Sequence, residues 1–365
     1  MDYPSHQLRS PSQQTPILYW AIAVSYMLLG FSAFSARLPM ALAVVGLVLT
    51  TFSIGNLFSG RRAGFYSGLV LLTIPALFLF TRIILGDAIF VLFMALAFRM
   101  FLGAYLLLSM RENSSESARG KAFGAMMGFY VFLALAVMTK GLIGLVFPFL
   151  IIGIFLAISH DLSFIKKMHL GLGTVVFLAL AAPWHIAVGM RNPGFYYNYF
   201  VNEHILRALN RHWPPDFLSI PLWRYWMAQI VGLFPWLMFA PMVIKYWPSN
   251  YRVMNRDEKL LLFAAIWMGT VFLFFSISGR LEYYAMPAYP GFALMVGLAL
   301  ARASEQRTAD DLAPAASATL TVGSLVIVGV MMILASQTGP HASAAALNPH
   351  TRNAFFLRST TSRRR

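Results

Sequence analysis

Residues 88–109 read AIFVLFMALAFRMFLGAYLLLS, a run in which Arg99 is the only charged residue. A helix of about 20 apolar residues crosses the hydrocarbon core of a bilayer, where lipid offers no hydrogen-bond partner to an open backbone. The run therefore predicts a transmembrane α-helix that begins next to Asp87.

Comparable apolar runs recur along the chain and predict further spans. They lie at 38–58, 64–81, 122–138, 141–158, 170–190, 222–244, 260–278, 285–301 and 316–335. Another apolar stretch, 17–35, is either an additional span or a helix at the membrane surface. The sequence thus predicts an all-α, polytopic membrane bundle of about 10–11 spans. Residues 1–336 form its transmembrane domain and 337–365 a short polar tail.

The composition supports a membrane protein and excludes several other classes. Of the 365 residues 59% are hydrophobic and 11% are charged, against about 25% charged residues in soluble domains. This excludes a soluble globular enzyme, a disordered protein and a nucleic-acid-binding module. The chain has no cysteine, which excludes disulfides, thiolate metal sites and cysteine nucleophiles.

The net charge of +15 comes from Lys and Arg in the loops, and these residues predict the orientation. The loops 59–63, 110–121, 159–169, 245–259 and 302–315 carry more basic residues than the loops that alternate with them. By the positive-inside rule the first set faces the cytoplasm. The long loop 191–220 and the start of the span at Asp87 are therefore expected to face outward.

Four acidic residues lie on the predicted outer side, namely Asp87, Glu203, Asp216 and Glu282, and each has basic or aromatic neighbours. Arg82 precedes Asp87, His204 and Arg207 follow Glu203, and Arg280, Tyr283 and Tyr284 surround Glu282. A charge at a membrane boundary is costly unless it is paired. Structural ion pairs and a functional site both explain this pattern.

The outer loop 191–220 is rich in aromatic residues and contains a short helical pattern. Glu203, Arg207 and Asn210 are spaced so that they share one helix face. One interpretation is an amphipathic helix at the membrane surface. The other is a site where basic side chains bind a lipid phosphate through charge-assisted hydrogen bonds.

Several motifs in order over about residues 17–300 resemble one family of membrane enzymes. They are Tyr19-Trp20, Arg82 followed by Asp87, Thr139-Lys140-Gly141, Pro183-Trp184 through Asn192-Pro193-Gly194 to Glu203-His204-Ile205-Leu206-Arg207, and Phe274–Ser278 followed by Glu282-Tyr283-Tyr284. Together they resemble the aminoarabinose lipid A transferases, relatives of the protein O-mannosyltransferases in the GT-C superfamily.

The resemblance implies a glycosyltransferase in the bacterial inner membrane, with its active side facing out. Such enzymes move a sugar from a polyprenyl-phosphate donor to a lipid or protein acceptor at the outer leaflet, so the partners are these substrates and membrane lipids, with no nucleic acid. By resemblance Asp87 is the candidate catalytic residue. The candidate substrate-binding residues are Arg82, Lys140, Glu203, His204, Arg207, Arg280, Glu282, Tyr283 and Tyr284, among which Lys140, Arg207 and Arg280 would hold the phosphate. No cofactor is implied, and a divalent metal is left open.

The sequence departs from the family at its start. Family members have a first span and a first outer loop with the principal acidic residue, whereas the matching place here reads Gln13-Gln14-Thr15-Pro16-Ile17-Leu18. This departure predicts a chain that is inactive alone. Alternative functions are a transporter or flippase of a lipid-linked substrate and a non-catalytic assembly protein. Transporters place ionisable residues near the membrane centre and use paired repeats; only Arg99 lies deep in a predicted span, which favours the enzyme.

Overall fold

The structure is a computed structural model that describes residues 16–109, 115–207, 209, 211 and 220–305. All of these residues lie in one compact unit, and they form helices and no strands. The predicted all-α membrane bundle is thereby confirmed. The predicted span 316–335 and the boundary at residue 336 lie outside the described residues.

Eleven α-helices follow one another in the described ranges. Their bounds are α1 Pro16–Leu29, α2 Ala33–Leu72, α3 Pro75–Thr81, α4 Asp87–Ser109, α5 Glu116–Lys140, α6 Ile143–Ile158, α7 Leu170–Arg191, α8 Leu222–Leu233, α9 Ala240–Lys245, α10 Arg256–Ile277 and α11 Tyr289–Glu305. Short 3₁₀ turns add Leu162–Lys167, Trp236–Phe239 and Glu282–Ala288, and a π-helical segment covers Tyr197–Leu206.

Each predicted span within the described residues coincides with helical structure, but fewer helices are long enough to cross a bilayer alone. Six helices in the described residues are long and apolar enough to cross a membrane. The number is seven if α8 and the segment Trp236–Lys245, which meet at an angle of 84°, form one span. The number is lower than the nine spans predicted within the described residues partly because α6 has only 16 residues. It is also lower because α2 contains the predicted span 38–58 and the first part of the predicted span 64–81, the rest of which forms α3.

Gly60 divides α2 into two arms. It has φ 85°, a left-handed backbone that glycine adopts without strain. The arms beyond it are in close contact, since a Cβ at Gly64 would lie 2.6 Å from the Phe52 carbonyl oxygen. Small residues permit this kind of approach between membrane helices. The predicted turn at 59–63 therefore depends on two glycines: Gly60, where the helix breaks, and Gly64, where the two arms come into contact.

The centre of the bundle is α4, which packs against α2 and α5. Its Phe98 ring makes edge contacts with Trp267 at 4.6 Å and Phe263 at 5.1 Å on α10. Arg99 donates from Nε to Ser53 Oγ on α2 at 2.7 Å. The deepest charge predicted from sequence thus has a polar partner on a neighbouring helix.

One end of α4 is fixed by a polar cluster of Tyr105, Asp161 and Lys259. Lys259 Nζ donates to Tyr105 Oη at 2.7 Å and to Asp161 Oδ2 at 2.8 Å, and the Tyr105 hydroxyl also donates to Asp161. The cluster ties α4, the loop before α7 and the start of α10 together. Asp87 begins the other end of α4, which we call the pocket end of the bundle.

Candidate functional site

A cavity of about 690 Å³ opens at the pocket end, where α4 begins, α5 ends and α10 ends. This volume is in the range of small-molecule and cofactor sites. The charged and polar residues that line it are Tyr19, Asp87, Thr139, Lys140, Tyr199, Glu203, His204, Arg207, Ser278, Tyr283 and Tyr284. Apolar side chains line the rest, so the cavity offers both charged groups and apolar surface.

Asp87 and Lys140 form an ion pair inside this cavity. Asp87 Oδ1 lies 2.5 Å from Lys140 Nζ, with the aspartate side chain 4% exposed and the lysine side chain 29% exposed. Asp87 stands in the first turn of α4 and Lys140 in the last turn of α5. Each charge therefore has the sign that its helix terminus favours. The pair fixes the two helix ends side by side.

Two tyrosine rings complete the surroundings of the lysine. Lys140 Nζ lies 5.8 Å from the ring centroid of Tyr283 and 5.3 Å from that of Tyr284. These distances are within the range of cation–π attraction. The ammonium group is thus held between a carboxylate and two aromatic rings and faces the cavity.

The turn after Lys140 requires glycine for two reasons. Gly141 has φ 88°, and a Cβ at this position would lie 2.1 Å from His204 Nε2. The imidazole occupies this space because its Nε2 accepts a hydrogen bond of 2.9 Å from the Leu142 amide. The sequence Thr139-Lys140-Gly141 is therefore shaped to receive His204.

The segment Tyr197–Leu206, which we call the loop helix, brings Glu203 and His204 to the cavity. It is anchored by Tyr199, whose hydroxyl lies 3.1 Å from His185 Nε2 on α7 and whose ring stacks on Phe195 at 5.2 Å. Glu203 Oε2 pairs with Arg207 Nη2 at 2.9 Å. The predicted helical face of Glu203 and Arg207 is therefore present, whereas Asn210 lies outside the described residues.

Burial of His204 lowers its pKa, which is the largest effect on this group. The hydrogen bond to the Tyr199 carbonyl and the charge of Glu203 act in the opposite direction, while Arg207 and His185 reinforce the decrease. His204 is consequently neutral at neutral pH.

Three of the candidate residues do not line the cavity. Arg82 lies with its guanidinium 4.9 Å from the centroid of the Phe78 ring. Glu282 pairs with Arg224 at 3.2 Å. Arg280 donates from Nε to the Ser278 carbonyl at 3.2 Å. The structure thus gathers Asp87, Lys140, Glu203, His204, Arg207, Tyr283 and Tyr284 in one cavity and places the other three outside it.

Several cavity residues were not among the sequence candidates. Leu18 and Tyr19 of α1 line one side, and Thr139 and Gly86 adjoin the ion pair. Tyr19 and Thr139 belong to motifs quoted above, so motif position could have identified them. Gly86 has no side-chain functional group, so nothing in the sequence identifies it as a cavity residue. Among the described residues no three His, Asp or Glu side chains come together to hold a metal ion.

The sequence is similar to those of membrane glycosyltransferases. Residues 13–186 match the family described as dolichyl-phosphate-mannose-protein mannosyltransferase. The undecaprenyl phosphate-alpha-4-amino-4-deoxy-L-arabinose arabinosyl transferase of Shewanella sediminis is 25% identical over 80% of this chain and 51% of its own length. An uncharacterized protein of Aquifex aeolicus is 27% identical over 80% of this chain and 61% of its own.

The fold agrees with the sequence comparison. The crystal structure of ArnT from Cupriavidus metallidurans bound to undecaprenyl phosphate superposes with a TM-score of 0.72 and 26% identity, over 93% of this chain and 56% of that one. The chain is therefore an integral membrane protein with a GT-C-like helical fold. In sequence and fold it is a relative of the undecaprenyl phosphate-aminoarabinose transferases, and it spans about half the length of these transferases.

Proposed function

We propose that the cavity at the pocket end binds a polyprenyl-phosphate-linked sugar and that the protein is a glycosyltransferase acting on this donor. The observation that carries the proposal is Lys140, whose ammonium faces the cavity while Asp87 holds it at 2.5 Å. The relatives named for undecaprenyl phosphate-linked arabinose transfer and the matching structure with undecaprenyl phosphate bound support the donor class.

Charge and geometry suit a phosphate next to Lys140. An ammonium group has three N–H donors, and Asp87 is its only hydrogen-bond acceptor among the described residues. The remaining donors are available to a phosphate oxygen. Arg207 lines the same cavity and adds a second cation, held in place by Glu203. Charge-assisted hydrogen bonds of this kind are the strong ones.

The apolar wall of the cavity suits the prenyl chain. Leu18, Leu142, Ile143, Val146 and Phe274 line it, and Val146 is 48% exposed on the bundle surface. A lipid tail can thus lie against side chains that are continuous with the membrane-facing surface. A free nucleotide sugar has no group that would use this wall.

The proposed reaction is a displacement at the anomeric carbon of the donor sugar. The oxygen of an acceptor hydroxyl bonds to that carbon, the bond from the carbon to the phosphate oxygen breaks, and the polyprenyl phosphate leaves with the electron pair. Lys140 and Arg207 stabilise the charge on the leaving group. The hydroxyl proton passes to a carboxylate, and Asp87 and Glu203 are the two that line the cavity within the described residues.

The proposal extends to the acceptor and the membrane. We take the acceptor to be an outer-leaflet lipid or a protein and the membrane to be the bacterial inner membrane, with the pocket end facing out. The distribution of Lys and Arg supports this orientation. A transporter or flippase is not favoured, because the relatives are transferases.

Donor binding tests the proposal directly. The full chain in lipid nanodiscs should bind undecaprenyl phosphate, and Lys140→Ala should weaken binding by about tenfold or more, as expected for about 1.5–3 kcal/mol from hydrogen bonds to a charged group. Lys166→Ala is the matched control, because Lys166 is exposed in the 3₁₀ turn Leu162–Lys167 and lies outside the cavity. Equal affinity of all three proteins would refute the phosphate site. A radiolabelled sugar donor then tests transfer.

A further inference from the structure

His204 joins two parts of the pocket end that are distant in sequence. Its Nε2 accepts from the Leu142 amide at 2.9 Å, across 62 residues. Its Nδ1 bonds to the carbonyl oxygen of Tyr199 within the loop helix. One imidazole ring therefore ties the loop helix to the first residues after the Lys140 turn.

These two bonds determine the tautomer of the ring. Because Nε2 accepts from an amide N–H, it carries no proton, so Nδ1 carries the proton and donates to the Tyr199 carbonyl. Both ring nitrogens are then occupied by the backbone. His204 cannot bond to a substrate through either nitrogen unless one of these links breaks.

The ring also fits tightly against the turn that carries Lys140. No side chain can stand at position 141, where a Cβ would lie 2.1 Å from His204 Nε2 and 3.3 Å from the Tyr199 hydroxyl. Leu142 caps the start of α6, and its amide has this imidazole as partner. The turn from Lys140 to Leu142 is thus held from outside by the ring.

We propose that His204 is a positioning residue: in its neutral form it holds the turn Lys140–Leu142 against the loop helix and thereby sets the location of the Lys140 ammonium. The part that concerns the donor rests on the proposed function. The mechanical part, that the ring fixes the turn, is independent of any ligand.

Protonation of the ring breaks the link. A proton on Nε2 would put two N–H groups face to face at Leu142 and remove the acceptor. Among the described residues, Glu203 and Arg207 on its own segment and His185 on α7 act electrostatically on the ring, and Tyr199 makes a ring contact with it. The Asp87–Lys140 pair lines the same cavity. Since burial lowers the pKa of His204, the link is complete at neutral pH and is lost only in acid.

Two substitutions separate the two bonds. His204→Gln places an amide oxygen near the position of Nε2, so it can still accept from the Leu142 amide. His204→Asn places its amide near the position of Nδ1, so it keeps the bond within the loop helix and loses the link to Leu142. The two variants are matched in polarity and differ in which end of the ring they replace.

The first readout needs no ligand. Hydrogen–deuterium exchange of the full chain in nanodiscs should show faster exchange at Leu142 in His204→Asn than in the wild type, with His204→Gln close to the wild type. On acidification, exchange at Leu142 relative to its intrinsic rate should increase in the wild type and not in His204→Gln. Equal protection of Leu142 in all three proteins would overturn the proposal.

The second readout is affinity for undecaprenyl phosphate at neutral pH. His204→Asn should bind several-fold to about tenfold more weakly, as expected for one hydrogen bond, and His204→Gln should recover most of the loss. Equal weakening by both variants would assign His204 to direct substrate binding instead. If the wild type binds no polyprenyl phosphate, the proposed function fails, while the exchange experiment still decides the role of His204.

Discussion

The Asp87 carboxylate lies 2.5 Å from the Lys140 ammonium, although 53 residues separate the two in the chain. Asp87 is 3% exposed, so its charge is taken out of water and depends on this partner. A buried pair of this kind adds little stability beyond an apolar pair of the same shape, but either charge alone is costly. Removing either charge alone should therefore lower the stability of the folded protein.

Asp87→Asn and Lys140→Met should each destabilise the folded protein by about 1–3 kcal/mol, because each leaves one charge of a partly exposed pair without its partner. The double variant Asp87→Asn/Lys140→Met should be less destabilised than the sum of the two. Thermal unfolding in detergent of the four proteins gives this comparison. Strict additivity would show that the two charges do not interact.

Gly141→Ala should lower the melting temperature and weaken donor binding, because the residue has φ 88° and its new Cβ would collide with His204. Gly120→Ala, within α5, is the control, since a Cβ there meets nothing within 4 Å and alanine favours the helix. The same measurements on Gly141→Ala/His204→Ala should recover the steric part of the loss and leave the backbone strain. A stable Gly141→Ala with normal binding would contradict the role of this turn.

The proposed orientation predicts which positions are accessible from outside. Single cysteines at Asn198, next to the cavity, and Lys166, near the opposite end, can be introduced into a chain that has none. A membrane-impermeant thiol reagent added to intact cells should label position 198 and not position 166. The reverse pattern would mean that the pocket end faces the cytoplasm.

Tyr105→Phe should destabilise the protein by about 1–3 kcal/mol, because it removes hydrogen bonds to Asp161 and Lys259, both charged. Tyr66→Phe is a suitable control, as no described residue accepts from or donates to the Tyr66 hydroxyl. Chemical or thermal unfolding of both variants would show the difference. If the two melt alike, the polar cluster at that end does not stabilise the bundle.

Much of the helical architecture follows from hydrophobic runs. The predicted span 88–109 corresponds to α4, and 170–190 to α7, because apolar runs of this length have no alternative to the helix in lipid. The 84° bend between α8 and the segment that follows was not predictable in this way. Pro235 lies at the break and interrupts the helix, while the direction of the next segment involves contacts such as Trp236 donating to Thr73 at 3.0 Å, which the apolar run does not reveal.

The sequence predicted most of the residues of the candidate site, but not the contacts that those residues make with one another. No acidic residue lies near Lys140 in the sequence, and its partner Asp87 is contributed by another helix. It grouped Arg280 with Lys140 and Arg207 as a phosphate holder, whereas Arg280 lies outside the cavity. Spacing along the chain reveals contacts within one helix, such as Glu203 with Arg207, but not contacts between helices.

The position of Tyr105 and Asp87 on one helix has a mechanical consequence. They are separated by 18 residues of α4, or about 27 Å at the rise of an α-helix, which is nearly the thickness of the hydrocarbon core. Aromatic contacts of Phe98 with α10 hold the middle of the helix in place. The Asp87 carboxylate in the cavity is therefore connected through α4 to the polar cluster at Tyr105, on the other side of the bilayer. A shift of α4 at Tyr105 would move Asp87 and, through the ion pair, Lys140.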